Sequence, residues 1–320
     1  MPSDSFAADL QLYGPRAPQA QALTLAQSCR YCRRLARRHY ENFTVVSRSL
    51  PRRLRQHFYN LYAYCRWADD LADETGDPRQ ALALLNWWES HLRACFQGRT
   101  IHPVFIALAE TIRQFKIPPD PFVDLLVAFR QDQRVTRYDT FDQLFGYCRY
   151  SANPVGRLVL YLAGCHDPER AQLADSICTG LQLANFWQDV AGDWQKGRIY
   201  LPLAHLRRFG GDESAIVRGE ATDAFRRALS AAVDEAEGWL NRGRPLVALM
   251  PPEFQLDVAL FIRGGLAILR AIRRQNYDVL SSRPRLSRWQ KLGLVLGTWW
   301  KLRRGELTAA KGPPEDHSSH

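Results

Sequence analysis

The stretch Leu61-Tyr62-Ala63-Tyr64-Cys65-Arg66-Trp67-Ala68-Asp69-Asp70-Leu71-Ala72-Asp73-Glu74 decides how the chain is read. An apolar, aromatic run passes without a break into a cluster of carboxylates. No Gly or Pro interrupts residues 52–75, so one helix is expected there. Helical residues four apart stack with Cβ atoms roughly 5–6 Å apart, so Asp69 and Asp73 share a face and Asp70 lies on its flank.

A second acidic pair answers the first. In Asn185-Phe186-Trp187-Gln188-Asp189-Val190-Ala191-Gly192-Asp193, Asp189 and Asp193 again stand four apart after an apolar helical run. Two carboxylates about 4 Å apart repel by roughly 4 kcal/mol at an effective dielectric near 20, so a cavity faced by four or five of them needs a counter-charge. Hard divalent cations supply it, and Mg²⁺ characteristically shares one or two carboxylates with substrate phosphates. Two facing Asp-x-x-x-Asp helices therefore point to a Mg²⁺–diphosphate clamp. The alternative, two solvated acidic helix ends, fits poorly with aromatic-rich helices leading into both pairs.

The chain has 320 residues, 46% hydrophobic, with a formal net charge of +10. That is enough apolar material for one large domain or two smaller ones. A basic surface suits nucleic acid, an anionic membrane or an anionic substrate. No nucleic-acid motif is present and the arginines are scattered, so an ordinary basic solvated surface is expected and nucleic acid is not a partner. Seven dispersed cysteines and a polar N-terminus without a secretory pattern predict reduced thiols in a cytoplasmic protein. Cys29-x-x-Cys32 has no matching second pair and reads as buried thiols. No run approaches the roughly 18 apolar residues that span a bilayer. The apolar patch 292–300, flanked by Arg288, Lys291, Lys301, Arg303 and Arg304, is expected to pack in the core; peripheral contact at the inner membrane is its other use.

Taken in order, residues 1–20 are expected to be disordered, 21–304 to form one all-α domain of helices packed around a central cavity, and 305–320 a disordered tail. Helix starts are signalled at Leu23, Pro51, Asp77-Pro78, Pro103, Pro118-Pro119, Asp139-Thr140 and Asp167-Pro168. An interruption is expected at Asn153-Pro154, and the helix begun at Asp167 is expected to run to about Asp193. A basic loop follows it, then helices at about 222–241, 252–281 and 287–303. Period-2 alternation is absent throughout.

Five blocks, in this order, resemble the squalene and phytoene synthases, the head-to-head prenyl synthase family. They are Tyr62-Ala63-Tyr64-Cys65-Arg66, Asp69-Asp70-x-x-Asp73, Tyr147-Cys148, Gln182-x-x-Asn185-x-x-x-Asp189-x-x-x-Asp193 and Lys196-Gly197-Arg198-Ile199-Tyr200-Leu201-Pro202. The resemblance covers about residues 25–290 and implies the isoprenoid synthase fold. Within the family the chain is most similar to the bacterial hydroxysqualene synthase branch of the hopanoid pathway. His39-Tyr40-Glu41-Asn42-Phe43, Ser151-Ala152-Asn153-Pro154-Val155-Gly156-Arg157 and Gln188 carry this; most members have Arg before the Asp that follows Gln188, so a fixed positive charge is missing beside the expected metals.

By resemblance, Asp69, Asp73, Asp189 and Asp193 hold Mg²⁺ on diphosphate, with Asp70 and Asn185 completing the metal set. Arg66, Lys196 and Arg198 are phosphate donors, or ordinary charge balance for the Asp cluster. Gln182, Asn185 and Gln188 lie beside the second pair and orient phosphate or satisfy buried polar groups. Tyr62, Phe43, Tyr147, Phe186 and Tyr200 are cavity walls whose faces stabilise a carbocation, or plain core aromatics. His39 and Asn42 complete the substrate set. The implied reaction takes presqualene diphosphate to hydroxysqualene and diphosphate by ionisation and water capture, a lyase step without reductant. Other enzymes of that pathway would be its neighbours. Competing readings are a prenyltransferase making presqualene diphosphate, squalene or phytoene, and an inactive relative serving as an assembly factor, which the intact Asp residues disfavour.

Overall fold

The computed structural model describes residues 4–17, 23–38 and 51–308. They form sixteen helical segments: α1 Asp4–Tyr13, α2 Leu25–Arg38, α3 Arg52–Asp73, α4 Pro78–Phe96, α5 Pro103–Phe115, α6 Asp120–Gln131, α7 Phe141–Ser151, α8 Asn153–Leu162, α9 Pro168–Gln188, α10 Val190–Gln195, α11 Leu203–Arg208, α12 Ser214–Arg218, α13 Asp223–Arg242, α14 Leu246–Leu249, α15 Pro252–Arg274 and α16 Arg288–Arg303. An isolated bridge between Arg137 and Ile199 is the only extended pairing among the described residues. The all-α expectation holds.

Six of the described helices begin where a side chain satisfies one of their first free N–H groups. Asp77, Thr140, Asp167 and Thr222 each accept a hydrogen bond from the first turn of α4, α7, α9 and α13, and Pro opens α4 and α9. Ser287 and Gln290 form a reciprocal capping box on α16. Two helices end earlier than expected. Helix α9 stops at Gln188, where Asp189 leaves helical geometry at φ −118°, ψ 22°, and resumes as α10. Helix α15 stops at Arg274, and Asn276 and Tyr277 turn the chain at φ 49° and 58°.

The architecture has two halves joined through the middle. Helix α3 packs against α2, α4, α5 and α6, while α9 packs against α8, α13 and α15. Helix α6 leans on α3, and α7 leans on both α6 and α9, so these two bridge the halves. In the first half, Trp67 of α3 stacks on Trp88 of α4 with centroids 5.2 Å apart, and the His102 ring stands edge-on to both. Trp67 Nε1 donates to Tyr31 Oη at 2.9 Å, so the buried indole leaves no polar group unpaired.

Two expectations are corrected. Residues 4–13 are a helix, not part of a disordered segment. Phe6, Leu10 and Tyr13 fall on one face at steps of four and three; Phe6 meets the Trp67 ring edge-on at 5.3 Å, and Tyr13 meets Tyr31 at 5.3 Å. The small polar residues around this stripe hid it. Helix α16 is not a core helix. Trp289 is 81% exposed, and Leu292, Leu296, Trp299 and Trp300 are also exposed. Cys29 is half-buried and Cys32 fully buried, both as free thiols.

Close approach of α9 and α13 depends on Gly180, where a Cβ would lie 2.8 Å from Leu240 Cγ and 2.9 Å from its backbone nitrogen. A backbone neighbour cannot move aside. Gly180→Ala is therefore expected to destabilise the fold by roughly 1–3 kcal/mol, read as a lower thermal midpoint. Gly238→Ala on α13, whose Cβ would meet only the Arg242 side chain at 3.7 Å, is the control and should not destabilise. Equal losses in the two variants would contradict this packing.

Candidate active site

A cavity of about 460 Å³ is lined by the last turns of α3 and α9, by α6, α7 and α10, and by the loop after α10. Helical spacing puts the expected residues there. Tyr62, Arg66, Asp69 and Asp73 step by four, three and four along α3; Gln182, Asn185 and Asp189 step by three and four along α9. Asp193, Lys196, Arg198, Tyr147, Phe186 and Tyr200 face the same space. Thus thirteen of the expected residues come together from segments far apart in sequence.

Five carboxylates line the cavity: Asp69, Asp73, Asp189 and Asp193, with Asp132 from the end of α6. Four cations accompany them: Arg66, Lys196, Arg198 and Arg283. Arg66 Nη1 reaches Asp69 Oδ2 at 3.2 Å. Arg198, from the loop after the second acidic pair, crosses to Asp73 Oδ1 at 3.1 Å. Arg283 Nη2 meets Asp189 Oδ2 at 3.3 Å.

These cations do not fully offset the burial. Asp69 is pushed upward by desolvation and by Asp73, against Arg66, Lys196 and Arg198. Asp193 is pushed up to about 7 by burial and then by Asp189, against Lys196, Arg198 and Arg283. Asp132 rises to about 6, chiefly through burial. Lys196 bears on both Asp69 and Asp193 and so lies under the influence of both walls.

The local backbone makes these positions. Asp193 N–H still bonds the Asp189 carbonyl at 2.8 Å, so the second wall keeps a helical register across the break. Gly192 lets the Asp189 carboxylate lie against the chain: a Cβ there would be 2.6 Å from Asp189 Oδ1. Gly197 turns the basic loop at φ 78°, in the left-handed region that glycine adopts without strain. Arg198 N–H then bonds the Asp193 carbonyl at 2.9 Å, and Ile199 N–H bonds the Thr136 carbonyl at 2.9 Å, pinning the loop.

One flank is aromatic. Phe186 and Tyr200 stack at 3.8 Å, and Tyr147 lies 6.2 and 5.9 Å from them. Tyr147 Oη donates to Asp132 Oδ2 at 3.0 Å. Val155 also lines a separate, almost wholly apolar chamber of about 170 Å³ between α8, α9 and α15. Gly156, Cys178, Phe58 and Phe254 are among its walls.

Two expected residues do not line the cavity. Asp70 is turned aside and held by Arg66, whose Nε reaches Asp70 Oδ2 at 3.0 Å. Gln188 is buried, and its Nε2 donates to the Pro284 carbonyl at 2.5 Å. One step along a helix is about 100° of rotation, so neighbours of lining residues point elsewhere. Gln188 thus ties down the segment that carries Arg283, and the cation missing at 188 is matched by one at 283. His39, Asn42 and Phe43 lie outside the described residues. Asp132, Arg283 and Gly192 were not anticipated; only Gly192, a glycine between two paired aspartates, left a sequence signal.

The donor set is all hard oxygen, with Asp132 Oδ1 buried and without a hydrogen-bond partner. Among the described residues no three His, Cys, Asp or Glu side chains form a closed cage by themselves. The carboxylates stand instead as pairs on two walls. That suits Mg²⁺, which keeps waters and shares ligands with a bound phosphate.

A fold of packed helices with facing paired-aspartate walls over an apolar chamber defines an isoprenoid synthase. The squalene/phytoene synthase family model matches residues 36–290, and the chain belongs to that family. It is similar to the squalene synthase HpnC of Alicyclobacillus acidocaldarius, at 49% identity and a TM-score of 0.76 over 79% of this chain and 95% of that one. It is also similar to a dehydrosqualene synthase solved with a ligand, at 25% identity and a TM-score of 0.79 over 88% of this chain and 98% of that one. The phytoene synthase of Arthrospira platensis is 29% identical over 84% of this chain and 91% of its own length. The family acts on prenyl diphosphates.

Two outcomes follow from the geometry. An Asp whose folded pKa is raised loses stability as pH climbs from its unfolded value, near 3.9, through its folded one. For Asp132 the penalty is complete above about 6. In metal-free buffer Asp132→Asn should raise the thermal midpoint at pH 8, and the gain should shrink steadily toward pH 5; a pH-independent difference would exclude burial of charge as the cause. Gly192→Ala should leave the midpoint nearly unchanged yet lower turnover at least about tenfold by displacing the Asp189 carboxylate; full activity would mean that its close packing is dispensable.

Proposed function

We propose that the protein converts presqualene diphosphate to hydroxysqualene and inorganic diphosphate in hopanoid biosynthesis, in the cytoplasm. Mg²⁺ held with the diphosphate by Asp69, Asp73, Asp189 and Asp193 would neutralise the charge that develops on the leaving group. Arg66, Lys196, Arg198 and Arg283 are suited to take the phosphate oxygens, the arginines through their forked donors. Asn185 and Gln182 add neutral hydrogen bonds on the α9 side. Arg198 also spans the walls: released from Asp73 by an arriving phosphate, it can follow the anion.

Ionisation leaves a cyclopropylcarbinyl cation, which rearranges before water captures it. The faces of Tyr62, Tyr147, Phe186 and Tyr200 are suited to stabilise that cation without trapping it. The apolar chamber beyond Val155 is the natural receiver of a hydrocarbon tail. Asp70 supports the site by fixing Arg66. His39, Asn42 and Phe43 are assigned to substrate by resemblance alone.

The observation that carries the reading is the meeting of paired-aspartate walls and crossing cations in one cavity, with an apolar chamber adjoining it at Val155. The choice of branch is supported by the 39–43 and 151–157 blocks and by the similarity to HpnC. The similarity to a phytoene synthase keeps a second reading, in which two prenyl diphosphates are joined.

Product analysis separates them. With Mg²⁺ and no reductant, presqualene diphosphate should give the alcohol; formation of squalene or phytoene would reject the branch. Asp69→Asn and Asp189→Asn should each lower turnover about 100-fold or more with helical content unchanged. Turnover near that of the parent would remove the clamp.

A further inference from the structure

Helix α16 carries an outward face that nothing in the described structure covers. Trp289, Leu292, Leu296, Trp299 and Trp300 recur at steps of three and four, so they form one stripe, and all are exposed. The opposite face is seated, with Thr298 fully buried and the helix packed on α15. The helix contains no acidic residue; Arg288, Lys291, Lys301 and Arg303 flank the stripe. The guanidinium groups of Arg303 and Arg304 lie over the Trp299 and Trp300 rings at 4.2 and 4.7 Å.

A second observation lies along the neighbouring edge. Gln290, Gly293 and Leu294 of α16 border a groove of about 240 Å³ whose other wall holds Arg263, Arg270 and Arg274 of α15 and no carboxylate. None of these three arginines makes an ion pair among those found in the described residues. Arg263 Nε is buried without a hydrogen-bond partner. Burial, then Arg270 and Arg244, hold its pKa below the ordinary arginine value, so the cluster repels itself. Unpaired converging guanidinium groups are an anion site in want of an anion.

We propose that α16 and the Arg263–Arg270–Arg274 groove dock the protein on an anionic lipid surface, with the tryptophan stripe in the headgroup boundary and the groove on lipid phosphates. A helix about 24 Å long with Trp at both ends and basic flanks matches a helix lying in that plane. A second copy of the chain fits less well, since a symmetric contact would set these basic flanks against themselves. The segment 309–320 of this chain, Ala-Ala-Lys-Gly-Pro-Pro-Glu-Asp-His-Ser-Ser-His, has too little apolar surface to cover three tryptophans. The proposal is independent of which product the enzyme makes.

Co-sedimentation of the full chain with phosphatidylcholine vesicles, with and without phosphatidylglycerol, tests it. The protein should sediment with the anionic vesicles, less with the neutral ones, and less as salt is raised. Trp289→Ser/Trp300→Ser should weaken binding to the anionic vesicles about tenfold or more, while Arg270→Gln/Arg274→Gln should remove the preference for them. Both pairs should keep the parent's circular dichroism and its turnover of detergent-dispersed substrate. Absence of sedimentation, equal binding to both vesicle types, or variants that bind like the parent would overturn the proposal. So would a dimer in analytical ultracentrifugation that Trp289→Ser/Trp300→Ser dissolves.

Discussion

Five carboxylates line one cavity, and the rest of the molecule has to make that arrangement tolerable. Two charges at a few ångströms cost several kcal/mol in a poorly hydrated site, and here burial already lifts Asp69, Asp132 and Asp193. Part of the relief is local, from Arg66 on the helix of Asp69, and part comes from distant segments. Arg198 follows the second acidic pair in sequence but bonds Asp73 of the first. Arg283 arrives from beyond α15 to meet Asp189. Asp73 therefore gains its Arg198 partner only when the second wall is in position, and Asp189 gains Arg283 only when the segment after α15 has docked.

The main walls were readable because helical periodicity is a local property. An Asp-x-x-x-Asp at the end of an uninterrupted aromatic run fixes which residues share a face, whatever the helix later packs against. Both walls, the all-α class and most helix starts rest on such local facts: a capping Asp or Thr, a Pro at the first turn, a stripe at steps of three and four. Arg66, Lys196 and Arg198 could be named because they lie within a turn or two of the pairs. Residue-level geometry then divides what the motif lumps together. Asp69 faces the cavity and Asp70 serves Arg66; Asp189 faces it and Gln188 clasps Pro284.

What escaped the sequence depends on contacts between distant segments. Asp132 follows α6 in a polar run that looks solvated; the approach of distant segments buries it, and α7 gives it Tyr147. Arg283 sits in a Ser-Ser-Arg-Pro loop with no pattern, and the Gln188 amide that anchors the loop comes from 96 residues earlier in the chain. The stripe of α1 was obscured by its composition, since three apolar positions among polar neighbours gain little until Trp67 and Tyr31 are there to receive them.

Helix α16 exposes a limit of a different kind. Its pattern of apolar residues at helical spacing is what a core helix also shows, and periodicity reports that a face is apolar without reporting what it meets. The neighbouring charges carry the missing information. Around the cavity, Arg66, Arg198 and Arg283 each hold a carboxylate. Beside α16, Arg263, Arg270 and Arg274 converge on a groove that offers none. A net charge of +10 counts both groups alike. The first group is spent within the fold on its own acidic walls. The second is left facing outward next to exposed tryptophan, where its repulsion is relieved only by anions from outside the chain.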